Sequence, residues 1–232
     1  LESLRKTLLS LAIDADVVLD LHCDGEALLH LYTTPQTWPG DGQLLARSIG
    51  AELALLAERS GGDPFDEATD LGSLISRAHR DRVAGFVDRA VASGARALIG
   101  GSAPLPDLPV DGAHFAPTVL VGATQGSEIV QNEVFGPVLS VIAYDDVEEA
   151  LAIANGTEYG LAAGIWTSDL GRALRLSRGI KSGQVFVNNY GAGGGVELPF
   201  GGVKGSGHGR EKGFEALYGF GAMKMIAIKH GA

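Results

Sequence analysis

The run LDLHCDGEALLH, residues 19–30, gathers the side chains best suited to chemistry in this chain of 232 residues. It holds the only cysteine, Cys23, between His22 and Asp24, with Glu26 and His30 close behind. A thiol beside an imidazole is the pairing from which covalent nucleophiles are built, so Cys23 is a candidate catalytic residue. A buried, inert thiol is the competing reading. His22, with Asp24 or Glu26 and His30, would make a partial zinc site with harder ligands than structural zinc sites use. Along a strand, His22 and Cys23 face opposite ways, so one surface cannot present both. Gly25 is expected to end that strand.

Two other spacings invite chemistry. His208 and Glu211 have His-x-x-Glu spacing, but they sit in a glycine-rich run where a backbone-shaping role fits better. GAGGGVELPFGG (191–202) is rich enough in glycine for a phosphate loop. It lacks both the Gly-Lys-Ser/Thr ending and a strand-to-helix Gly-x-Gly-x-x-Gly setting, so that reading is rejected.

The elements that must position these groups alternate. Residues 16–22 and 28–33 read as short apolar strands, and 43–59 has helical periodicity. Glycine and polar residues over 61–73 mark a boundary near residue 70. Beyond it, 78–94 places Val83, Phe86, Val87, Ala90 and Val91 on one helical face, stopped by Gly94. Strands are expected at 95–101, within 107–122, and at 137–144, 161–166 and 184–188, with helices at 145–156 and 168–179. Asp145 and Glu148 have capping-box spacing, and Asn155-Gly156 suits a helix end. The tail 223–230, MKMIAIKH, reads as a last strand. Strand–helix alternation predicts an α/β class with a mostly parallel sheet. The first 70 residues form a small αβ segment that lends strands to that sheet.

Composition narrows the function classes. Hydrophobic residues make up 45% and charged residues 20%, which supports a packed core. The formal charge of −10 disfavours nucleic-acid backbones. No apolar run reaches the roughly 18 residues that cross a bilayer. With one cysteine and no basic-then-apolar leader, a cytoplasmic setting is expected.

Four motifs stand in series: NEVFGPVLSV (132–141), NGTEYGLAAGIWTSDL (155–170), SGQVFVNN (182–189) and LPFGGVKGSGHGREKG (198–213). From about residue 71 to the end the chain resembles the C-terminal part of the aldehyde dehydrogenase catalytic domain. The resemblance implies NAD(P) as cofactor. It implies that Glu133 accepts hydrogen bonds from the nicotinamide-side ribose, that Phe135 packs near the nicotinamide, and that Phe200 borders the substrate tunnel. Core packing for the two aromatics and a solvated strand end for Glu133 remain open. The family's upstream nucleophilic cysteine, its glutamate base and its dinucleotide-binding domain find no match, so a truncated protein that does not oxidise aldehydes alone is expected.

DADVVLDLHCDGEALLHLYTTP (14–35) is similar to the succinylglutamate desuccinylase/aspartoacylase family of zinc deacylases. There His22 matches a zinc-ligand histidine, although no earlier His-x-x-Glu precedes it. Residues 1–70 and 71–232 are then pieces of two families, a chimera. Three functions follow: a dehydrogenase-like protein, an ester or amide hydrolase using His22-bound zinc or Cys23, and a self-associating protein. Self-association, as a homo-oligomer, is expected through the strand 223–230.

Overall fold

The computed structural model describes residues 17–22, 28–33, 62–63, 65–67, 69, 71–105, 108–109, 112–188 and 195–231, the first two stretches as backbone alone. The helix expected at 43–59 lies outside them. Seven strands form one sheet: β1 (Val17–His22), β2 (Leu28–Thr33), β3 (Arg96–Ile99), β4 (Thr118–Val121), β5 (Val138–Ala143), β6 (Ala162–Trp166) and β7 (Gln184–Val187). Their spatial order is β3-β4-β5-β2-β1-β6-β7. The helices are α1 (Arg77–Ala92), α2 (Glu128–Gln131), α3 (Val147–Asn155), α4 (Leu170–Gly179) and α5 (Gly213–Gly219). None of them is long and apolar enough to cross a membrane.

The α/β class is present, but the sheet is mixed rather than mostly parallel. Ladders β2–β5, β4–β5 and β6–β7 are parallel, whereas β1–β2, β1–β6 and β3–β4 are antiparallel. β1 and β3 therefore run against the other five strands. Two of the three antiparallel ladders follow from β1 and β2, which pair from His22↔Leu28 to Val18↔Tyr32 and enter the sheet as a hairpin between β5 and β6. The strands expected from the first 70 residues are thus lent to the centre of the sheet.

Burial follows from that layout. Every residue of β4 and β6 is buried, as are the first five of β5. Continuous burial of this kind marks strands covered on both faces, which their unbroken apolar runs permit. β3 alternates exposed and half-buried residues, as an edge strand does.

Helix α1 turns Val83, Val87 and Ala90 inward. Phe86 is only partly buried, between the guanidinium groups of Arg82 and Arg89 at 5.8 and 5.0 Å from its ring centre. The cap of α3 lies one residue beyond expectation. Asp146, not Asp145, is the N-cap and accepts from the Glu149 amide at 2.8 Å, while Glu149 Oε2 accepts from the Asp145 amide at 2.6 Å. Glu149 thus reaches one residue past the N-cap, an arrangement like a capping box but without the reciprocal bond to the cap's own amide.

The tail departs from expectation. Residues 221–231 form no strand and are exposed throughout. An apolar run has β character only where a partner strand supplies hydrogen bonds, and no described residue does so here.

Candidate functional site

The loop from α2 to β5 carries Glu133 and Phe135. Val134 between them is fully buried, and its carbonyl accepts from Arg82 Nη2 at 2.9 Å. Pro137 O accepts from the Thr118 amide at 2.8 Å, tying the loop to the start of β4. With the chain anchored at 134 and 137, Glu133 is held half-buried and Phe135 keeps its ring 46% exposed. Phe135 does so at φ 53°. A bulky residue in the left-handed region stores on the order of 1–3 kcal/mol, and such strain persists only where surrounding structure enforces it. Gly136 permits the turn. A Cβ there would lie 2.8 Å from both Val83 methyl carbons.

Phe200 sits in the glycine-rich segment 198–213, which folds back on itself. Phe200 and Glu211 exchange two backbone hydrogen bonds, 2.6 and 2.7 Å long. Arg210 Nη1 donates to Gly202 O at 2.9 Å. Lys204 Nζ donates to the carbonyls of Asn155 and Thr157, both at 3.1 Å. The Val203 amide donates to Gly160 O at 2.9 Å, and the Ser206 hydroxyl accepts from the Gly160 amide at 3.1 Å. These bonds fix the segment against the chain entering β6. Gly183 brings it against the entry to β7, since a Cβ there would run into Gly201 O. The Lys212 ammonium stands 5.7 Å from the Phe200 ring centre.

β5, β6 and β7 all run the same way, so the Glu133–Phe135 loop and the 198–213 segment lie at one end of the sheet. Two strands stand between β5 and β6, which separates the two walls by about 14 Å at the usual strand spacing. β1 runs oppositely, so its last residue, His22, reaches that same end. Cys23, Asp24 and Glu26 lie outside the described residues, as do the side chains of His22 and His30. Among the described residues no three His, Cys, Asp or Glu side chains group as metal ligands. Glu211 is engaged through its backbone with Phe200, and His208 is exposed.

Sequence reasoning missed the residues that hold these walls. Phe135, Asn188, Lys204 and Lys212 are the non-glycine residues with positive φ among those described. Each falls within one of three of the four motifs. Asn188, at φ 50°, accepts from the Thr167 amide and donates to its carbonyl, both at 2.9 Å, extending the β6–β7 pairing by a side chain. Glycines in the motifs signalled tight turns and Asn188 is of a type that tolerates left-handed backbone, but residue type gave no such signal at Phe135 or the lysines.

Residues 48–226 match the model of the aldehyde dehydrogenase family. Over 224 residues the chain is 39% identical to a betaine aldehyde dehydrogenase of Sinorhizobium fredii, spanning 94% of this chain and 45% of that one. A crystal structure of betaine aldehyde dehydrogenase from Staphylococcus aureus in complex with NAD+ superposes with a TM-score of 0.71. It is 35% identical and covers 78% of this chain and 36% of its own. An NAD-dependent aldehyde dehydrogenase from Sinorhizobium meliloti gives a TM-score of 0.72 at 34% identity, covering 82% and 35%. The chain thus spans less than half the length of these relatives. The family match begins ahead of the boundary expected near residue 70, and the 94% span leaves little of the chain aside. The zinc-deacylase resemblance of residues 1–70, and with it a chimeric origin and a hydrolase function, gains no support from these alignments.

Proposed function

The chain belongs to the aldehyde dehydrogenase family, and from that premise we propose that it supplies the cofactor-side and substrate-side walls of an aldehyde-oxidising site that works with NAD(P). Bound there, NAD(P) would supply the hydride acceptor. The residues of this chain fit that group. The Glu133 carboxylate accepts from both hydroxyls of a ribose diol, which two side-chain oxygens suit. The exposed Phe135 ring offers a flat apolar wall to a nicotinamide. Phe200 borders the aldehyde's approach. The observation that carries this reading is the strained, anchored backbone at Phe135, because strain of this kind clusters where a ligand is clamped.

Aldehyde oxidation also needs a thiolate to attack the carbonyl. Cys23, the only thiol in the sequence, does not match the family's nucleophilic cysteine, so a second chain would bring that thiolate. Calorimetric titration with NAD+ tests the cofactor wall. Saturable heat is expected, and Glu133→Gln, which removes charge-assisted hydrogen bonds, weakens it about tenfold or more. Heat unaffected by the substitution rejects Glu133 as the ribose carboxylate. No heat at all rejects cofactor binding by this chain.

We further propose that the chain self-associates through residues 223–230. Met223, Met225, Ile226 and Ile228 are 104, 84, 73 and 77% exposed. Apolar surface so fully open favours burial against a partner. Light scattering is expected to show an oligomer that Ile226→Asp dissociates; a monomer at every concentration counts against it.

A further inference from the structure

A second cleft lies at the far end of the sheet. It encloses about 720 Å³, the range of small-molecule sites. Its floor includes Val121 at the end of β4, Ile142 near the end of β5, and Ile153 on α3, all at least 90% buried. Glu133 and Phe135 precede β5, whereas this cleft is at its exit, about 16 Å along the strand. Carboxyl ends of strands are where open α/β sheets commonly hold ligands.

The polar groups around it differ in kind. Arg96 opens β3 opposite Val121 and has no ion-pair partner among the described residues. Glu149 lines the cleft with Oε2 already accepting from the Asp145 amide, which fixes the carboxylate in place. Gln125 lines it too. Its Nε2 donates to Gly156 O at 2.9 Å, which fixes the amide's orientation, and its Oε1 is shielded from solvent with no hydrogen-bond partner. A shielded acceptor left without a partner is unfavourable, and a ligand's N–H would satisfy it. One cationic donor, two acceptors and an aliphatic floor therefore define the complement.

We propose that this cleft binds an aliphatic amino acid. The carboxylate pairs with Arg96, the ammonium donates to Glu149 and Gln125, and the hydrocarbon side chain rests on Val121, Ile142 and Ile153. The anionic Glu149 on the rim disfavours a plain carboxylate, and Arg96 disfavours a plain amine, so the zwitterion is selected over either half. This site is independent of the dehydrogenase reading, since none of its residues belongs to the walls around Phe135 and Phe200.

Three probes separate the contributions: L-leucine, 4-methylpentanoate (leucine without its ammonium) and 3-methylbutylamine (leucine without its carboxylate). Binding is followed by amide resonances of Gly94, Gly122 and Thr124, with those of Val134 and Phe135 as the remote control. Leucine is expected to give saturable shifts at the first set alone, with at least about tenfold weaker binding of either truncated probe. Arg96→Gln, an exposed substitution whose folding circular dichroism verifies, should weaken leucine about tenfold and leave the amine unchanged. The proposal is overturned if leucine shifts do not saturate, if they appear only at Val134 and Phe135, if either truncated probe binds as well as leucine, or if Arg96→Gln binds leucine like the parent protein.

Discussion

Gly136 shows how one residue sets the loop that carries Phe135. It follows the strained Phe135 and touches Val83, a fully buried residue of α1. Alanine at 136 forces its Cβ against two methyl groups that have no room to move. Gly136→Ala is expected to cost about 1–3 kcal/mol in urea unfolding, the usual price of overpacking, while a change within error would mean the loop shifts freely. A second residue-level effect is electrostatic. Arg89 meets Glu128 through two hydrogen bonds of 2.7 and 3.1 Å, which hold the Glu128 carboxyl below the usual carboxylate range and raise Arg89. A carboxyl with a depressed folded pKa adds stability above its unfolded pKa and loses it as pH falls through the folded value. Glu128→Gln should therefore lower Tm slightly near neutral pH, and the gap should close on acidification below about pH 4 or in high salt. A gap that widens in acid contradicts the pairing. At this scale the sequence marked the motif that holds Glu133 and Phe135, whose roles rest on the family resemblance. The left-handed backbone at Phe135 was not legible, because phenylalanine rarely adopts positive φ, and the one-residue shift of the α3 cap was invisible because Asp145 and Asp146 are equally good caps.

The periodic elements were the most readable. β5, α3, β6 and α4 all formed within about two residues of expectation, since each combines a clear apolar pattern with a polar or glycine stop. The four-residue α2 was missed because it has no full turn of apolar periodicity to display, and α5 because Phe214, Leu217 and Tyr218 on it are all exposed. The expected last strand failed for a different reason: its pattern states what it would pair with, not that a partner is present. The 198–213 segment is held by the bare backbone of Gly183 as much as by its own hydrogen bonds. Gly183→Ala drives a Cβ into Gly201 O, so it should push the segment away from β7. Hydrogen exchange at Phe200 and Glu211, each of whose amides donates to the other's carbonyl, should then accelerate well over tenfold while exchange in β5 stays slow. Unchanged exchange would show that the contact is not a constraint.

Strand order could not be read from the chain. Local pattern reveals that 17–22 and 28–33 are extended, but their insertion between β5 and β6 depends on pairings with residues more than 100 positions away. β1 is bonded on both sides, Leu19 facing Leu31 and Gly164. Proline there removes a ladder donor and clashes in a central strand, so Leu19→Pro should lose about 3 kcal/mol or more and melt the sheet as a unit. A cooperative transition unchanged in midpoint would place the hairpin outside the stable fold. Without β1 and β2 the remaining strands divide into β3-β4-β5 and β6-β7, and the walls carrying Phe135 and Phe200 part with them. The same insertion constrains biogenesis. β1 and β2 leave the ribosome before either flanking strand has been made, and an isolated hairpin is at best marginally stable in water. It must wait through translation of β5 and then β6 with its edges open, which is when holdase chaperones have the most to protect.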